Sequence, residues 1–320
     1  MNLRTFLKYV EIQTKVASMI PLAMGTLYAL YRFDSFRLEN FLFMLLSLLS
    51  FDMATTAINN YYDFKKAART HGYGYETHNA IVRYKVKERT AVTVIAVLLV
   101  LAAGGGLLLV SQTGLLVFLL GGLSFLIGIL YSFGPIPISR MPLGELFSGL
   151  FMGFVIIFIS AYIHADGELA SLALSGPWTD LSVRLDIRLT EVLALFGFSV
   201  PAVLGIANIM LANNICDVEE DIDNRRYTLP VYIGKAHALR LFAALYYLSY
   251  LDLIVLLLLG VHPLLVLAAL LTVIPLRRNI AAFRARPEKA ATFILSVRNF
   301  VLLCGARIAL MLAAVLLETL

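Results

Sequence analysis

The sequence predicts an all-α, polytopic membrane protein of nine transmembrane helices, and three observations carry that prediction. Of 320 residues, 60% are hydrophobic and only 15% charged, and the mean hydropathy is +0.84. Such a balance lies far outside that of a soluble globular chain. Uncharged apolar stretches at 91–110, 114–133 and 192–216 each reach the roughly 20 residues that cross a bilayer as helix. Hydrocarbon offers no hydrogen bonds, so a spanning segment must satisfy its backbone internally, and helix does so. The basic residues, finally, gather on one side of the alternating segments.

The elements follow in order. In residues 1–15, Leu3, Phe6, Leu7 and Val10 recur at helical spacing opposite Arg4 and Lys8, which predicts a short interfacial helix and no cleavable signal. Spans are expected at 16–31, 41–62, 91–110, 114–133, 146–164, 192–214, 241–259, 261–276 and 292–317. Starting from a cytosolic N-terminus, 20 of the 26 Lys and Arg fall on cytosolic segments, chiefly 63–90, 215–240 and 277–291. That asymmetry satisfies the positive-inside rule. The chain is expected to be one transmembrane domain over 1–320, with 63–90 and 215–240 as the cytosolic loops that carry its chemistry. The single sizeable outer segment, 166–191, alternates Val183, Leu185, Ile187 and Leu189 with Arg184, Asp186 and Arg188, which suits a strand-like cover at the outer interface. Cys216 and Cys304 have neither a disulfide framework nor metal-ligand spacing.

One pattern stands out. Asn-Asn-x-x-Asp occurs twice where a long apolar run ends, as Asn59-Asn60-Tyr61-Tyr62-Asp63 and Asn213-Asn214-Ile215-Cys216-Asp217. The copies lie 154 residues apart, consistent with a four-span unit used twice and with both copies facing the cytosol. The second continues through Glu219, Glu220, Asp221 and Asp223. Residues four apart share a helix face, so Asn59 points with Asp63, Asn213 with Asp217, and Asp217 with Asp221. Like carboxylates at that spacing repel, and near lipid a divalent cation relieves the repulsion; carboxylate and carboxamide oxygens are what magnesium accepts. Lys65, Lys66 and Arg69 follow the first cluster, and Arg225 and Arg226 the second. Acidic and basic groups at one mouth suit a metal diphosphate.

Between the fourth and fifth spans, Tyr131 to Arg140 followed by Pro142, Gly144 and Glu145 forms a Gly/Pro-set turn. It returns the chain to the membrane and places Tyr131 and Arg140 near the same mouth. Within spans the polar residues are few: Asp52, Asn208, Asp252, Arg298, Asn299 and Arg307. Arg298 and Arg307 are candidates to pair with Asp52 or Asp252. Phe and Tyr together with Gly104-Gly105-Gly106 and Gly121-Gly122 suit close helix packing around an apolar tunnel.

The paired motifs, the turn and the nine spans resemble the UbiA superfamily of intramembrane aromatic prenyltransferases over nearly the whole chain. Asn60-Tyr61-Tyr62-Asp63-Phe64-Lys65-Lys66 and Arg226-Tyr227-Thr228-Leu229-Pro230-Val231 are similar to the 1,4-dihydroxy-2-naphthoate branch, MenA. Glu11-Ile12-Gln13-Thr14-Lys15 resembles a divergent form of that branch's Arg-Pro-Lys-Thr stretch. The resemblance implies a helical bundle around a central cavity, two Mg2+ ions, a polyprenyl diphosphate donor whose tail leaves laterally into lipid, and an aromatic acid acceptor, dihydroxynaphthoate. Asn59 and Asp63 would hold one metal, and Asp217 and Asp221 the other. Lys66, Arg140 and Arg226 would hold diphosphate beside Tyr131, and Lys15 would meet the acceptor's carboxylate. The chain departs from the wider pattern at Ala67, where a further Asp is common, and at Glu11, where the branch has Arg. The implied reaction is prenyl transfer with loss of carbon dioxide, giving demethylmenaquinol in a bacterial cell membrane, with no nucleic acid or protein partner. An acceptor such as 4-hydroxybenzoate is the alternative within the family. A secondary transporter would place its ionisable groups near the bilayer midplane, whereas these clusters sit at one edge.

Overall fold

The computed structural model describes residues 1–66, 80–132, 137–165, 167–177 and 179–318. Ala67 lies outside these residues, as do the side chains of Asp63 and Lys66. The chain begins with α1 (Leu3–Tyr9), capped by the Asn2 side chain, which accepts from the Thr5 amide at 2.8 Å. A 3-10 turn over Ile12–Lys15 leads into α2 (Val16–Phe33), and α3 (Leu38–Lys66) and a single turn, α4 (Ala80–Arg83), follow. Next come α5 (Glu88–Thr113), α6 (Leu115–Ser132) and α7 (Gly144–Tyr162). A β-hairpin separates α7 from α8 (Leu189–Cys216), after which the short α9 (Val218–Asp223) and α10 (Leu229–Ile233) lead to α11 (Lys235–Leu258), α12 (Pro263–Ala285) and α13 (Ile294–Glu318). The fold is the all-α membrane bundle the composition predicts.

Eight helical stretches among the described residues are long and apolar enough to cross a membrane. The count of nine is corrected at α2. It is an 18-residue helix where the first span is expected, yet it is not among those eight, and its Ser18, Thr26 and Tyr28 are buried. A helix walled by other helices has no need of a lipid-like surface. The eighth span is also longer than expected. Beyond residue 276 it continues because Leu276, Ile280 and Phe283 form a buried stripe, leaving Arg277, Arg278 and Arg284 on the opposite exposed face.

The centre is a ring of four helices in which α2 packs on α7, α7 on α8, α8 on α13 and α13 on α2. Small residues permit the closest approaches. A Cβ added at Gly153 would meet Val203 Cα at 2.5 Å, and one at Gly149 would meet the Val203 carbonyl oxygen at 2.7 Å, so the Gly149–Gly153 spacing lets α7 lie against the α8 backbone. By contrast, a Cβ at Gly121 or Gly122 would meet nothing within 4 Å; those glycines face outward and do not pack helices.

Between α7 and α8, at the face opposite the two motif copies, β1 (Ala170–Ser175) pairs antiparallel with β2 (Ser182–Ile187), Ala170 opposite Ile187 and Ser175 opposite Ser182. This is the strand-like cover that the alternation predicts. Leu185 and Ile187 help close an apolar cavity of about 200 Å³ with Phe154, Phe158, Leu116 and Leu120. Nearby, His164 is fully buried, its Nδ1 accepting the Arg37 amide at 3.0 Å. Burial, with Arg37 adding to it, lowers its pKa from 6.5 to about 4.

Inside the bundle, Arg307 donates two hydrogen bonds to Asp252, both at 2.8 Å, and both side chains are 0% exposed. The Arg307 guanidinium also lies 5.0 Å from the centre of the Tyr250 ring. The pair locks α11 to α13, the structural role expected for Arg307. Asp52 pairs elsewhere.

Two predictions follow from these buried charges. Asp252→Leu or Arg307→Leu alone leaves an uncompensated ion and is expected to lower stability by roughly 3–5 kcal/mol, whereas the double variant loses much less. Thermal unfolding in detergent micelles checks the ordering. The second concerns His164. Its folded state favours the neutral ring, so this contribution is complete above pH 6.5 and declines as pH falls toward about 4. The unfolding midpoint should drop across that window in the wild type, and more shallowly in His164→Gln.

Candidate active site

The second Asn-Asn-x-x-Asp copy forms the C-terminal end of α8 and runs into α9. Asp217 leaves ideal helical geometry, with φ −104° and ψ 12°. Its amide nevertheless donates to Asn213 O at 3.1 Å, and the Asp221 amide donates to Asp217 O at 2.7 Å. The four-residue step therefore continues through the break, keeping Asn213, Asp217 and Asp221 on one face as the spacing predicts. Both carboxylates are nearly buried, Asp217 at 9% exposure and Asp221 at 2%.

Each carboxylate has a cation. Arg226 Nε lies 3.3 Å from Asp221 Oδ1, and Thr228 Oγ1 donates to Asp221 Oδ2 at 3.1 Å. Burial raises the Asp221 pKa above its ordinary value, Arg226 and Thr228 oppose that rise, and Asp217 adds to it. Asp217 Oδ2 accepts from Lys289 Nζ, which comes from the connection between α12 and α13.

The Gly/Pro turn joins this cluster through main-chain contacts. The Tyr227 amide donates to Arg140 O at 3.1 Å, and Arg226 Nη2 reaches Ser139 O at 3.5 Å. Tyr131, at the end of α6, packs its hydroxyl against Gly144, where an added Cβ would lie 3.6 Å away. Glu145, 6% exposed, accepts through Oε1 from Asn214 Nδ2 at 2.8 Å. Among the described residues, Glu145 Oε2 and the Tyr131 hydroxyl, both buried, have no hydrogen-bond partner. The site thus gathers the side chains of Asp217, Asp221, Arg226, Tyr131 and Glu145, with the main chain of Arg140 alongside.

The first copy lies at the end of α3. Three spans separate α3 from α8, so alternation puts both copies at the same membrane face. Asn59 is exposed, while Asn60 is buried and donates to Tyr9 O at 3.0 Å and Glu11 Oε1 at 3.3 Å. The second asparagine of each copy is therefore an anchor bonded to a glutamate, Asn60 to Glu11 and Asn214 to Glu145. Lys65 is paired with Glu88 at 2.6 Å. Lys15 is not at the mouth: its Nζ donates to Asp52 Oδ1 at 2.6 Å, Asp52 O at 2.9 Å and Thr56 Oγ1 at 2.7 Å. An ammonium has three protons, so all of them are engaged here and Lys15 neutralises Asp52.

Among the described residues, no three His, Cys, Asp or Glu side chains are grouped to hold a metal. The donor set at Asn213, Asp217 and Asp221 still fits a hard divalent ion: oxygen ligands on one face, two of them carboxylates that already attract lysine and arginine. Sequence reasoning missed Lys289, which lies in an unpatterned loop, and gave Glu145 no role. The orphaned oxygen that singles out Glu145 has no signature in sequence.

The second motif copy thus sets two nearly buried carboxylates beside basic side chains at one face of a membrane-embedded helical bundle. In comparison with known proteins, residues 18–304 match the UbiA prenyltransferase family, and the chain belongs to that family. It is an integral, multi-pass membrane prenyltransferase. It is similar, at 33% identity over 240 residues, to 1,4-dihydroxy-2-naphthoate octaprenyltransferase of Bacillus subtilis (strain 168), covering 74% of this chain and 68% of that one. Among solved structures, a UbiA homolog from Archaeoglobus fulgidus bound to GPP and Mg2+ superposes with a TM-score of 0.62 at 17% identity, covering 97% of this chain and 99% of that one. The apo UbiA homolog from Aeropyrum pernix K1 gives 0.64 at 19%, again over 97% and 99%.

Removing the Glu145 acceptor strands Asn214 in a buried position. Glu145→Leu is expected to destabilise the protein by about 1–3 kcal/mol. Glu145→Gln keeps an oxygen for Asn214 and should cost well under half of that, as read from unfolding midpoints.

Proposed function

We propose that this protein transfers a polyprenyl group from polyprenyl diphosphate to 1,4-dihydroxy-2-naphthoate with loss of carbon dioxide, giving demethylmenaquinol. The observation that carries this reading is the buried Asp217–Asp221 pair beside Arg226 in a chain 33% identical to an enzyme named for that acceptor. Magnesium, present with GPP in the Archaeoglobus fulgidus structure, would be held by Asn59 and Asp63 at one site and by Asp217 and Asp221 at the other. When bound it would supply positive charge that stabilises the negative charge developing on the diphosphate.

The chain's own residues do the rest. Arg226, Arg140 and Lys66 neutralise the departing diphosphate, which leaves with the electron pair of the allylic carbon–oxygen bond. Tyr131, with a buried hydroxyl that has no partner among the described residues, would donate to a diphosphate oxygen. The electron-rich ring then bonds to the allylic carbon, and the ring carboxylate departs as carbon dioxide. Closure of the site to water would keep water from capturing the allylic cation. The excess of Lys and Arg on the segments bearing both motifs orients the mouth to the cytosol of a bacterial cell membrane.

The test supplies membranes containing the protein with labelled polyprenyl diphosphate and a panel of aromatic acids. Product from dihydroxynaphthoate alone, lost with chelator and restored by Mg2+, is the expected result; product from 4-hydroxybenzoate reassigns the acceptor. Asp217→Asn and Asp221→Asn should each fall below about 1% of wild-type turnover while remaining folded. Full activity in either variant, or in excess chelator, removes the metal from the mechanism.

A further inference from the structure

Asp217 and Asp221 have partners of different kinds. Asp221 is held by Arg226 and Thr228, a few residues further along its own loop. Asp217 is held by a residue 72 positions away, Lys289. The Lys289 side chain is 57% exposed, and that of Asp217 only 10%. A flexible ammonium thus leans from solvent onto a nearly buried carboxylate.

The loop that carries Lys289 has its own fastening. Thr292 Oγ1 donates to Arg286 O at 2.5 Å, the Thr292 and Phe293 amides donate to Glu288 O at 2.9 and 3.1 Å, and Arg286 pairs with Glu288 at 2.7 Å. Phe293 packs into the cluster formed by α8, α11 and α12. The backbone at residue 289 is therefore fixed without the ion pair, and the side chain can release without unfolding the connection.

An ammonium and a divalent ion compete for one carboxylate. Once a metal takes Asp217, the ammonium is repelled from it yet remains tethered within a lysine's length of the mouth, where a diphosphate brings fresh negative charge. We propose that Lys289 is an exchanging counter-cation: it neutralises Asp217 before substrate arrives, yields that carboxylate to the divalent metal, and then binds the diphosphate. The proposal rests on the reading that metal sits on Asp217.

The test uses the full-length protein in detergent, as wild type, Lys289→Met, Lys289→Arg and Asp217→Asn. Mn2+ binding without diphosphate is measured by electron paramagnetic resonance. Binding of geranyl thiolodiphosphate, an unreactive donor analogue, in excess Mg2+ is measured by calorimetry. Lys289→Met should bind Mn2+ about 5- to 10-fold more tightly than wild type and the analogue about 10-fold more weakly, with Lys289→Arg close to wild type in both. The opposite signs are diagnostic, because a residue that merely braces the loop would weaken both or neither. Mn2+ affinity that is unchanged or lower in Lys289→Met, or undiminished analogue binding, overturns the proposal. If Asp217→Asn binds Mn2+ as wild type does, the metal assignment itself fails, an outcome distinct from failure of the exchange.

Discussion

A carboxylate withdrawn from water beside hydrocarbon must be neutralised, and this bundle is organised around doing so. Three acids are met by a cation from a distant stretch of chain. Lys15, just before α2, neutralises Asp52 of α3; Arg307 of α13 neutralises Asp252 of α11; Lys289 crosses to Asp217 at the end of α8. Such pairs are weak evidence of net stability, because desolvation opposes their attraction, but breaking one is costly. They therefore specify which helices meet. Only the Asp217 pair has a partner more than half exposed to solvent, and it is the pair at the mouth.

The repeated motif divides its work within each copy. Its second asparagine is an inward anchor, bonded to Glu11 in one case and Glu145 in the other. Its first asparagine and its aspartate lie on the adjacent face, Asn213 with Asp217 and Asp221 in the copy whose side chains are described. The anchor fixes the rotation of the helix end, and that rotation decides where the carboxylates point. The bond from Asn214 to Glu145 also ties this helix end to the start of α7, next to the turn bearing Tyr131 and Arg140.

Much of the fold was legible because spanning helices write themselves in apolar runs, and six of the expected spans match helices within a few residues. Where legibility failed, the cause was local. The span expected at 261–276 was cut short because its continuation is amphipathic, with Leu276, Ile280 and Phe283 inward and arginines outward. The span expected at 16–31 is the helix α2, whose Ser18, Thr26 and Tyr28 are buried. At the site, spacing correctly aligned Asn213, Asp217 and Asp221. It had no means of revealing Lys289 or the engagement of Lys15 with Asp52, since both contacts join residues far apart in sequence and depend on how helices pack. The glycine runs misled in part: Gly105 lies close to Ser47 and Phe43, whereas Gly121 and Gly122 face open space.

On the proposed function, the cations now on Asp217 and Asp221 stand where a metal diphosphate would bind. An experimental structure with Mg2+ and a prenyl thiolodiphosphate tests it directly. The expected result is a metal coordinated by Asp217 and Asp221, with Lys289 and Arg226 turned from the carboxylates onto diphosphate oxygens. Intact Lys289–Asp217 and Arg226–Asp221 pairs, with metal and diphosphate bound elsewhere, would contradict it.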